Sequence, residues 1–406
     1  MNVPPGGEVV LVRYGDISTK STTVRRMMEN RLIANLQDGL TRAGIDASIK
    51  REWSRPVIVT DEAEVGSATT LATETFGVVS ASPARRVSRD RDTIVGAIAE
   101  LATATYEGGT FAVRARRADK DVPYTSADIE HAAGEAVFEV VGDTFEAEVD
   151  LDDPDITFHV EVRRDHAYVF TDVIGGPGGL PVGTQEAMVA LISGGIDSPV
   201  AAYRAMRRGS PVVPVYIDLG QYGGPDHQAR ALEAIARLHD FAGTQRRPVY
   251  IIPGGEAVTR IVDEVEGGRM LVLRRFMFRV ADSVASDLDA VGIVTGEALG
   301  QKSSQTATNL MATSVVTERP IHRPLLTMDK QQITNIAREI GTYRSATMPA
   351  GCPTLAPEQV KTRASPTTVD NLEPADIEEL VARAVDGAEV IDPADVEDYG
   401  TLATEP

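Results

Sequence analysis

The chain has 406 residues, 42% of them apolar, which predicts two or three globular domains, and no apolar run is long enough to cross a membrane. Its single cysteine, Cys352, excludes an internal disulfide and any cysteine-built zinc or iron–sulfur centre within one chain. The net charge of −20, with only six lysines among forty basic residues, favours a salt-rich cytoplasm where ions screen repulsion. We therefore expect a cytoplasmic protein without membrane association.

The N-terminal half predicts two small α+β domains, residues 1–60 and 61–173. In the first, helix periodicity lies between two apolar strand patterns, and the predicted elements are strands at 9–14 and 57–60 and a helix at 23–43. In the second, the predicted elements are helices at 92–105 and 126–140 and strands at 110–116, 156–163 and 167–171. The Gly/Pro-rich stretch 174–182 predicts a linker.

Residues 183–369 predict an α/β domain with a parallel sheet. Strands and helices alternate there, with strands at 187–192, 212–217, 249–252 and 291–295 and helices at 199–208 and 268–285. Ligands of such sheets bind at the carboxyl ends of the strands. Residues 370–406 hold one basic and twelve acidic residues, and this composition predicts an acidic tail with one helix and little further order.

The motif that carries the chemistry is Ser193-Gly194-Gly195-Ile196-Asp197-Ser198, which follows an apolar strand and opens a helix. Adjacent glycines let the backbone approach a phosphate, and amides at a helix N-terminus point toward it. The two serines add hydroxyl donors, whereas the carboxylate of Asp197 suits Mg²⁺ bridging the phosphates. No lysine follows the second glycine, so this is not a GxxxxGK[ST] loop. A purely structural glycine turn is the alternative.

SGGxDS after a strand resembles the PP-loop of ATP pyrophosphatases. Six further blocks, in order between residues 8 and 365, are similar to the ThiI family of tRNA 4-thiouridine synthetases: LVRYGDISTKS, FAVRARRADKDVPYTSADIEHAAGEAV, GGLPVGT, MLVLRRFMFRVAD, TGEALGQKSSQTATNL and IHRPLLTMDKQQITNIAREIGTY. The resemblance implies an α/β PP-loop domain, of the adenine nucleotide alpha hydrolase type, preceded by ferredoxin-like and THUMP domains. It also implies ATP and Mg²⁺ as cofactors and a tRNA substrate.

The resemblance further implies specific residues. Those implied to contact ATP are Leu191, Ile192, Ser193, Gly194, Gly195, Asp197, Ser198, Tyr216, Ile217, Arg274, Gly296 and Gln305, with Arg275 as the alternative to Arg274. Gly296 follows a strand where the backbone is expected to pass close to a nucleotide or base. Lys330 is implied to stabilise the transition state, and a plain charge in the first turn of a helix is the alternative. Cys352 is implied to carry sulfur, unless it is a buried, inert cysteine.

Two basic clusters in the THUMP-like segment are candidate RNA contacts. One comprises Arg114, Arg116, Arg117 and Lys120, and the other comprises Arg85, Arg86, Arg89 and Arg91. In a segment of ten basic and twenty-four acidic residues, such clusters favour phosphate contacts. A solvated surface with acidic partners is the alternative for each arginine.

The implied reaction adenylates O4 of the uridine at position 8 of tRNA and then replaces that oxygen with sulfur. Either a persulfide-carrying protein or inorganic sulfide would donate the sulfur, because the chain has no rhodanese-like cysteine and has Pro353 where relatives place a second cysteine. The family also implies a homodimer and a role in thiamine synthesis. Two alternatives stay open: another PP-loop enzyme that activates a carbonyl or carboxylate, or an RNA-binding THUMP protein with a degenerate catalytic site.

Overall fold

The computed structural model describes residues 1–52, 55–223, 226–346 and 361–401. The chain forms two compact units, Met1–Gly179 and Leu180–Pro406. Every strand and helix predicted within residues 1–369 is confirmed, with ends that move by no more than two residues. Within the described ranges, no helix has both the length and the apolar character that a membrane crossing requires.

The first unit begins with a ferredoxin-like arrangement. Its elements are β1 (Val9–Tyr14), α1 (Thr22–Arg42), β2 (Ala47–Glu52), β3 (Arg55–Thr60), α2 (Val65–Glu74) and β4 (Val78–Val87). The strands form the antiparallel order β2-β3-β1-β4. Leu32, Leu36 and Leu40 are fully buried because their four-residue spacing places them on one face of α1. The predicted boundary at residue 60 falls between β3 and α2.

The second half of this unit extends the same sheet. Its elements are α3 (Arg91–Thr105), β5 (Thr110–Arg117), α4 (Ser126–Val141), β6 (Glu148–Val149), β7 (Ile156–Val162), β8 (Ala167–Phe170) and β9 (Ile174–Gly175). β4 pairs with β1 through Val78 to Ala84 and with β8 through Arg85 to Val87, so the sheet continues as β8-β7-β5-β6. β9 also pairs with β4, so the predicted linker begins as a strand.

The second unit contains the parallel sheet. Its elements up to residue 346 are β10 (Met188–Leu191), α5 (Asp197–Met206), β11 (Val212–Asp218), α6 (His227–Asp240), β12 (Val249–Pro253), α7 (Gly255–Glu264), α8 (Arg269–Asp287), β13 (Ile293–Val294), α9 (Ala307–Ser314), β14 (Ile321–His322), α10 (Lys330–Glu339) and α11 (Tyr343–Ala346). The order β14-β13-β10-β11-β12 is parallel throughout. β11 lies on one side of β10, and β13, which comes later in the chain, lies on the other side of β10. Open α/β sheets bind ligands at the point where the strand order reverses in this way.

The acidic C-terminal segment packs against this sheet, so the expectation of little order after one helix is wrong. Its elements are α12 (Pro366–Asp370), α13 (Ile377–Asp386), β15 (Glu389–Ile391) and α14 (Pro393–Thr401). β15 pairs antiparallel with β12 at the edge of the sheet. Ile377, Leu380 and Val381 are buried against the core, at a spacing that puts them on one face of α13. Acidic composition alone did not reveal this apolar face.

A buried arginine binds the same segment. The Arg275 side chain on α8 is fully buried and donates to the Pro366 carbonyl at 3.1 Å. It also contacts the carboxylates of Asp370 at 2.5 Å and Glu373 at 3.1 Å. Several acidic residues of this segment therefore neutralise arginines of the parallel-sheet unit rather than facing only solvent.

Candidate active site

The loop between β10 and α5 carries the Ser-Gly-Gly-Ile-Asp-Ser motif at the carboxyl edge of the parallel sheet. The Ser193 amide donates to the Ser198 hydroxyl oxygen at 2.8 Å, and the two hydroxyl oxygens lie 3.0 Å apart. The Gly195 amide donates to the Ser193 hydroxyl oxygen at 3.3 Å. These bonds close the loop at the N-terminus of α5, where the helix dipole favours an anion such as phosphate.

Glycine is sterically required at two positions around this loop. A Cβ atom at Gly194 would lie 3.0 Å from the His227 carbonyl oxygen. At Gly296 it would lie 2.8 Å from backbone atoms of Asp197 and Ser198. The sequence-based interpretation attributed Gly296 to a passing nucleotide, but the structure gives a further reason: the backbone after β13 packs directly against the first turn of α5.

The carboxyl edge of the sheet opens into a cleft of about 280 Å³. Ten of the twelve residues expected to contact ATP line it: Leu191, Ile192, Ser193, Asp197, Ser198, Tyr216, Ile217, Arg274, Gly296 and Gln305. Gly194 and Gly195 belong to the adjoining loop and are not part of the lining. The aliphatic and aromatic members of this set provide the apolar walls that a flat heterocycle such as adenine requires.

Sequence reasoning missed seven residues of the cleft, namely Val215, Leu219, His227, Met277, Phe278, Thr295 and Glu297. Helical spacing could have revealed two of them, since Met277 and Phe278 follow Arg274 by three and four positions on α8. Nothing in the pattern around His227 indicated a cleft position. Its pKa is lowered by burial and by the Arg230 guanidinium, which favours a neutral imidazole at pH 7.

The fold brings together two candidate catalytic residues that are 133 positions apart in the sequence. Lys330 Nζ lies 2.8 Å from Asp197 Oδ1, and Gln301 Nε2 donates to the same oxygen at 3.3 Å. Lys330 is the first residue of α10, whose N-terminus is capped by Asp329 and Gln332. Its side chain is 53% exposed and is not part of the cleft lining, which it reaches through its contact with Asp197. The first-turn position and the catalytic interpretation of Lys330 are therefore compatible.

A buried ion cluster supports one wall of the cleft. Arg274 Nε lies 3.2 Å from Glu297 Oε1, and Arg323 Nε lies 2.9 Å from the other oxygen of that carboxylate. Burial lowers the pKa of Arg274, whereas attraction to Glu297 opposes that shift. Arg274 also donates to the Ser304 hydroxyl oxygen at 3.1 Å. Arg274 therefore lines the cleft, whereas its neighbour Arg275 binds the C-terminal segment.

The side chains near the loop fit a magnesium nucleotide better than a metal held by protein ligands alone. Among the residues that the structure describes, no group of three or more His, Cys, Asp or Glu side chains could hold a metal ion. Asp197 offers one carboxylate beside the phosphate-binding loop, and Mg²⁺ commonly uses one or two carboxylates together with phosphate oxygens. Cys352, the predicted sulfur carrier, lies outside the described residues.

Several candidate RNA contacts of the first unit already have partners. Arg85 contacts Glu100, Arg86 contacts Glu8 at 2.8 Å, and Arg89 contacts Asp119 at 3.7 Å. The guanidinium groups of two further arginines donate to backbone carbonyls, Arg114 to Leu151 and Arg117 to Tyr124. The alternative of partnered surface charges therefore applies to Arg85, Arg86 and Arg89.

A larger cleft of about 1010 Å³ in this unit is lined by both basic and acidic residues. Its basic members are Arg55, Arg116, Arg117, Arg163, Arg164 and His166. Arg116 and Arg164 are exposed and make no ion pair with any described residue. Lys120 is likewise exposed, but it is not part of this lining. Exposed, unneutralised arginines are suited to binding phosphate.

In the lining of this cleft, one largely buried carboxylate joins the two halves of the first unit. Glu161 on β7 contacts Arg13 on β1 at 3.2 Å, Arg55 on β3 at 3.1 Å and Arg163 at 2.7 Å. Burial raises the pKa of Glu161, but the three guanidinium groups outweigh that effect and lower it overall. The cluster carries more positive than negative charge.

Comparisons with known families agree with this architecture. The ThiI ferredoxin-like domain matches residues 9–82, the THUMP domain matches residues 88–172, and the thiamine biosynthesis protein ThiI matches residues 183–376. The structure is similar to a crystal structure of a 4-thiouridine synthetase–RNA complex with bound ATP. That similarity has a TM-score of 0.84 and 31% identity, and it covers 95% of this chain and 100% of the other.

Full-length relatives show the same similarity. A probable tRNA sulfurtransferase from Halobacterium salinarum is 50% identical over 383 residues, which cover 94% of this chain and 97% of that protein. A probable tRNA sulfurtransferase from Methanosarcina acetivorans is 39% identical over 365 residues, which cover 88% and 87% of the two chains. The ordered domains, the PP-loop cleft and these relatives together show that the chain belongs to the ThiI family.

Proposed function

We propose that this chain is an ATP-dependent tRNA sulfurtransferase that converts a tRNA uridine into 4-thiouridine. One observation carries the proposal: the ammonium of Lys330 and the carboxylate of Asp197 meet, 2.8 Å apart, beside the Ser-Gly-Gly loop. A structural glycine turn does not require a distant lysine at this point. The similar 4-thiouridine synthetase, crystallised with RNA and ATP, and the relatives named as sulfurtransferases support the same reaction.

The residues of the cleft have distinct roles in the proposed adenylation. The hydroxyls of Ser193 and Ser198, with the loop amides, bind the phosphates that leave as pyrophosphate. Asp197 would hold Mg²⁺, which neutralises phosphate charge when it is bound. Lys330 stabilises the charge that develops at the α-phosphate, because its ammonium already lies beside the loop. Arg274 supplies a positive charge in the cleft lining, held in place by Glu297.

The proposed reaction has two steps. The uridine O4 attacks the α-phosphorus of ATP, the bond to the β-phosphate oxygen breaks, and pyrophosphate leaves. Sulfur then attacks C4 of the adenylated base, and AMP leaves with the original O4 oxygen. The base must leave its stack to reach the cleft, as other base-modifying enzymes require. We propose position 8 as the target uridine, because the family resemblance implies it.

We propose that Cys352 carries the sulfur of the second step as a persulfide received from a donor protein. After its terminal sulfur attacks the base, another thiol must cleave the resulting disulfide. The chain has no second cysteine, so that thiol is external. Release of sulfide from the persulfide would also need an external thiol, which would be left in a disulfide with Cys352. Inorganic sulfide is the alternative donor.

The large cleft of the first unit is proposed as part of the tRNA-binding surface. Arg116 and Arg164 support this assignment, since both are exposed at the cleft and lack an ionic partner among the described residues. Arg164 was not among the sequence-based candidates. Phosphate contacts position an RNA without reading its sequence, so these residues would contribute affinity rather than choice of the uridine.

The test is a reaction of the purified chain with ATP, Mg²⁺, unmodified tRNA and sulfide, followed by nucleoside analysis and pyrophosphate measurement. We expect pyrophosphate release that depends on tRNA and the appearance of 4-thiouridine. Pyrophosphate without thiolated nucleoside would favour a different PP-loop activation, such as amidation of a carboxylate. Tight tRNA binding without pyrophosphate would favour an RNA-binding protein with a degenerate site.

A further inference from the structure

Two side chains share one oxygen of the Asp197 carboxylate. Lys330 Nζ lies 2.8 Å from Oδ1, and the amide nitrogen Nε2 of Gln301 donates to the same atom at 3.3 Å. The other oxygen, Oδ2, makes no hydrogen bond or ion pair with any residue that the structure describes. The protein therefore treats the two carboxylate oxygens differently. Gln301 was not among the sequence-based candidates.

The turn that carries Gln301 is closed by its own hydrogen bonds. The Gly300 amide donates to the Gln305 carbonyl at 2.9 Å, and the Gln305 amide donates to the Lys302 carbonyl at 2.8 Å. The side-chain oxygen of Gln305 accepts the Lys302 amide at 3.2 Å. Gly300 has a φ of 72°, which glycine adopts without strain. These bonds fix the backbone on both sides of Gln301, so its half-buried side chain starts from a defined position.

The segment before this turn is attached at two places. A Cβ atom at Gly296 would lie 2.8 Å from the peptide bond that follows Asp197, so the backbone there packs against the start of α5. The Leu299 amide donates to the Leu326 carbonyl at 3.0 Å, which joins the segment to the chain that leads into α10. The turn of Gln301 is therefore held close to the two elements whose first residues form the ion pair.

The lysine and the carboxylate have different proposed partners when a nucleotide is bound. The Lys330 ammonium would contact phosphate oxygens, and Asp197 would hold Mg²⁺. The carboxylate would then lose its charged partner, whereas the Gln301 amide can keep its bond to Oδ1. Because an amide is neutral, it fixes the orientation of the carboxylate without neutralising the charge that attracts the metal. Groups that orient metal-binding side chains in this way raise the affinity of the site for its metal.

We infer that Gln301 is a positioning residue for Asp197, which holds Oδ1 and keeps Oδ2 available to the metal of a magnesium nucleotide. This inference rests on the proposed function, because it takes Asp197 as the residue that holds Mg²⁺. Loss of the Gln301 amide should weaken nucleotide binding only when the metal is present. The proposed phosphate contacts of the Ser-Gly-Gly loop do not involve Gln301, so metal-free nucleotide should bind as before.

The test measures the gain in nucleotide affinity that Mg²⁺ provides. The probe is an ATP analogue with a methylene group between the α- and β-phosphorus atoms, titrated into the full chain by calorimetry with Mg²⁺ or with EDTA. Gln301→Met nearly keeps the length of the side chain and removes its N–H donors. We expect the affinity of this variant to fall about tenfold or more with Mg²⁺ and to match the wild type with EDTA.

Gln331→Met is the matched control, since it makes the same chemical change next to Lys330. Gln331 is exposed on α10, and its amide donates to Asn335 rather than to Asp197. This variant should bind the analogue like the wild type, both with Mg²⁺ and with EDTA.

Two results for Gln301→Met would overturn the inference: wild-type affinity with Mg²⁺, or an equal loss with Mg²⁺ and with EDTA, which a structural role would produce. No gain from Mg²⁺ in the wild type would also overturn it, because Asp197 would then hold no metal. The proposed function fails separately, if the wild type gains affinity from Mg²⁺ but makes no 4-thiouridine from tRNA, ATP and sulfide.

Discussion

Two opposite charges meet at the site where the nucleotide is proposed to bind. The Lys330 ammonium contacts the Asp197 carboxylate at 2.8 Å, and both side chains reach solvent. A bound magnesium nucleotide would separate this pair, because Asp197 would hold the metal and Lys330 would contact phosphate oxygens. Exposed ion pairs contribute little to stability, at most about 1 kcal/mol, so a chemical role is the better explanation of the contact.

Replacing Asp197 therefore tests chemistry with little effect on the fold. We expect Asp197→Asn to reduce tRNA-dependent pyrophosphate release by about 10²-fold or more, since it removes the carboxylate that is proposed to hold Mg²⁺ at the phosphates. The thermal unfolding temperature of this variant should stay close to that of the wild type. Asp263→Asn, on the exposed face of α7, is the control and should keep full activity. Pyrophosphate release at the wild-type rate by the Asp197→Asn variant would show that Asp197 has no role in the mechanism.

At this scale, the sequence was most informative where a motif is chemically specific. The segment from Ser193 to Ser198 stood out by its residue types, whereas the role of Lys330 was implied by the family resemblance and stays a prediction. The choice between Arg274 and Arg275 could not be made from two adjacent identical residues, since only the fold shows which side of α8 faces the cleft. His227 and Glu297 were missed because the tertiary fold brings them to the cleft, and no local pattern marks them.

At the scale of elements, two glutamates near the C-terminal helices show the difference between a buried and an exposed partner of an arginine. Glu373 and Glu378 both contact Arg279, at 2.9 Å and 2.7 Å. The Glu373 side chain is 9% exposed and also contacts the buried Arg275, whereas that of Glu378 is 74% exposed. Removing a partner of a buried charge is far more costly than removing a surface partner.

We therefore expect Glu373→Ala to lower the free energy of unfolding by about 3 kcal/mol, because the Arg275 guanidinium loses a partner in a buried site. Glu378→Ala, the matched control, should lower it by no more than about 1 kcal/mol. Urea unfolding of the two variants beside the wild type measures both changes. Equal losses of stability in the two variants would show that burial of Arg275 does not make its contact with Glu373 more important than the exposed contact of Glu378.

The cluster at Glu161 gives a dependence on pH. The folded-state pKa of Glu161 lies below the usual value of 4.5, so its contribution to stability is present above that pH and disappears as the pH falls through the lowered pKa. At pH 7, Glu161→Gln should therefore unfold at a lower temperature than the wild type. The difference in unfolding temperature between the two proteins should narrow as the pH falls below 4.5. Glu100→Gln, at an exposed partner of Arg85, should show little difference at either pH.

Hydrophobic periodicity located many of the strands and helices, but it missed others, among them β2, α2, α6, α7 and α9. β4, which joins both halves of the first sheet, was also missed, because Ser80, Ser82 and Pro83 interrupt its apolar pattern. The C-terminal segment was expected to be largely unordered because it holds twelve acidic residues and only one basic residue. Its acids instead pair with arginines such as Arg275 and Arg279, which no local pattern reveals.

In the whole molecule, sixty acidic residues outnumber forty basic residues, so repulsion among negative charges determines how salt affects stability. Repulsion among these charges weakens as the screening length falls from about 10 Å at 0.1 M salt to about 3 Å at 1 M. We expect the unfolding temperature to rise with KCl over this range. A neutral osmolyte at matched osmolality is the control, because it does not screen charge. An unfolding temperature independent of KCl would contradict the prediction.

The antiparallel strand β15 has a consequence for how the protein is made. The first unit ends at residue 179, so a ribosome completes strands β1 to β9 before it begins the second unit. The parallel sheet, by contrast, lacks its last strand until Glu389–Ile391 has left the exit tunnel. A nascent chain therefore presents its proposed RNA-binding surface well before its second sheet is complete, and a prematurely terminated product lacks the edge strand of that sheet.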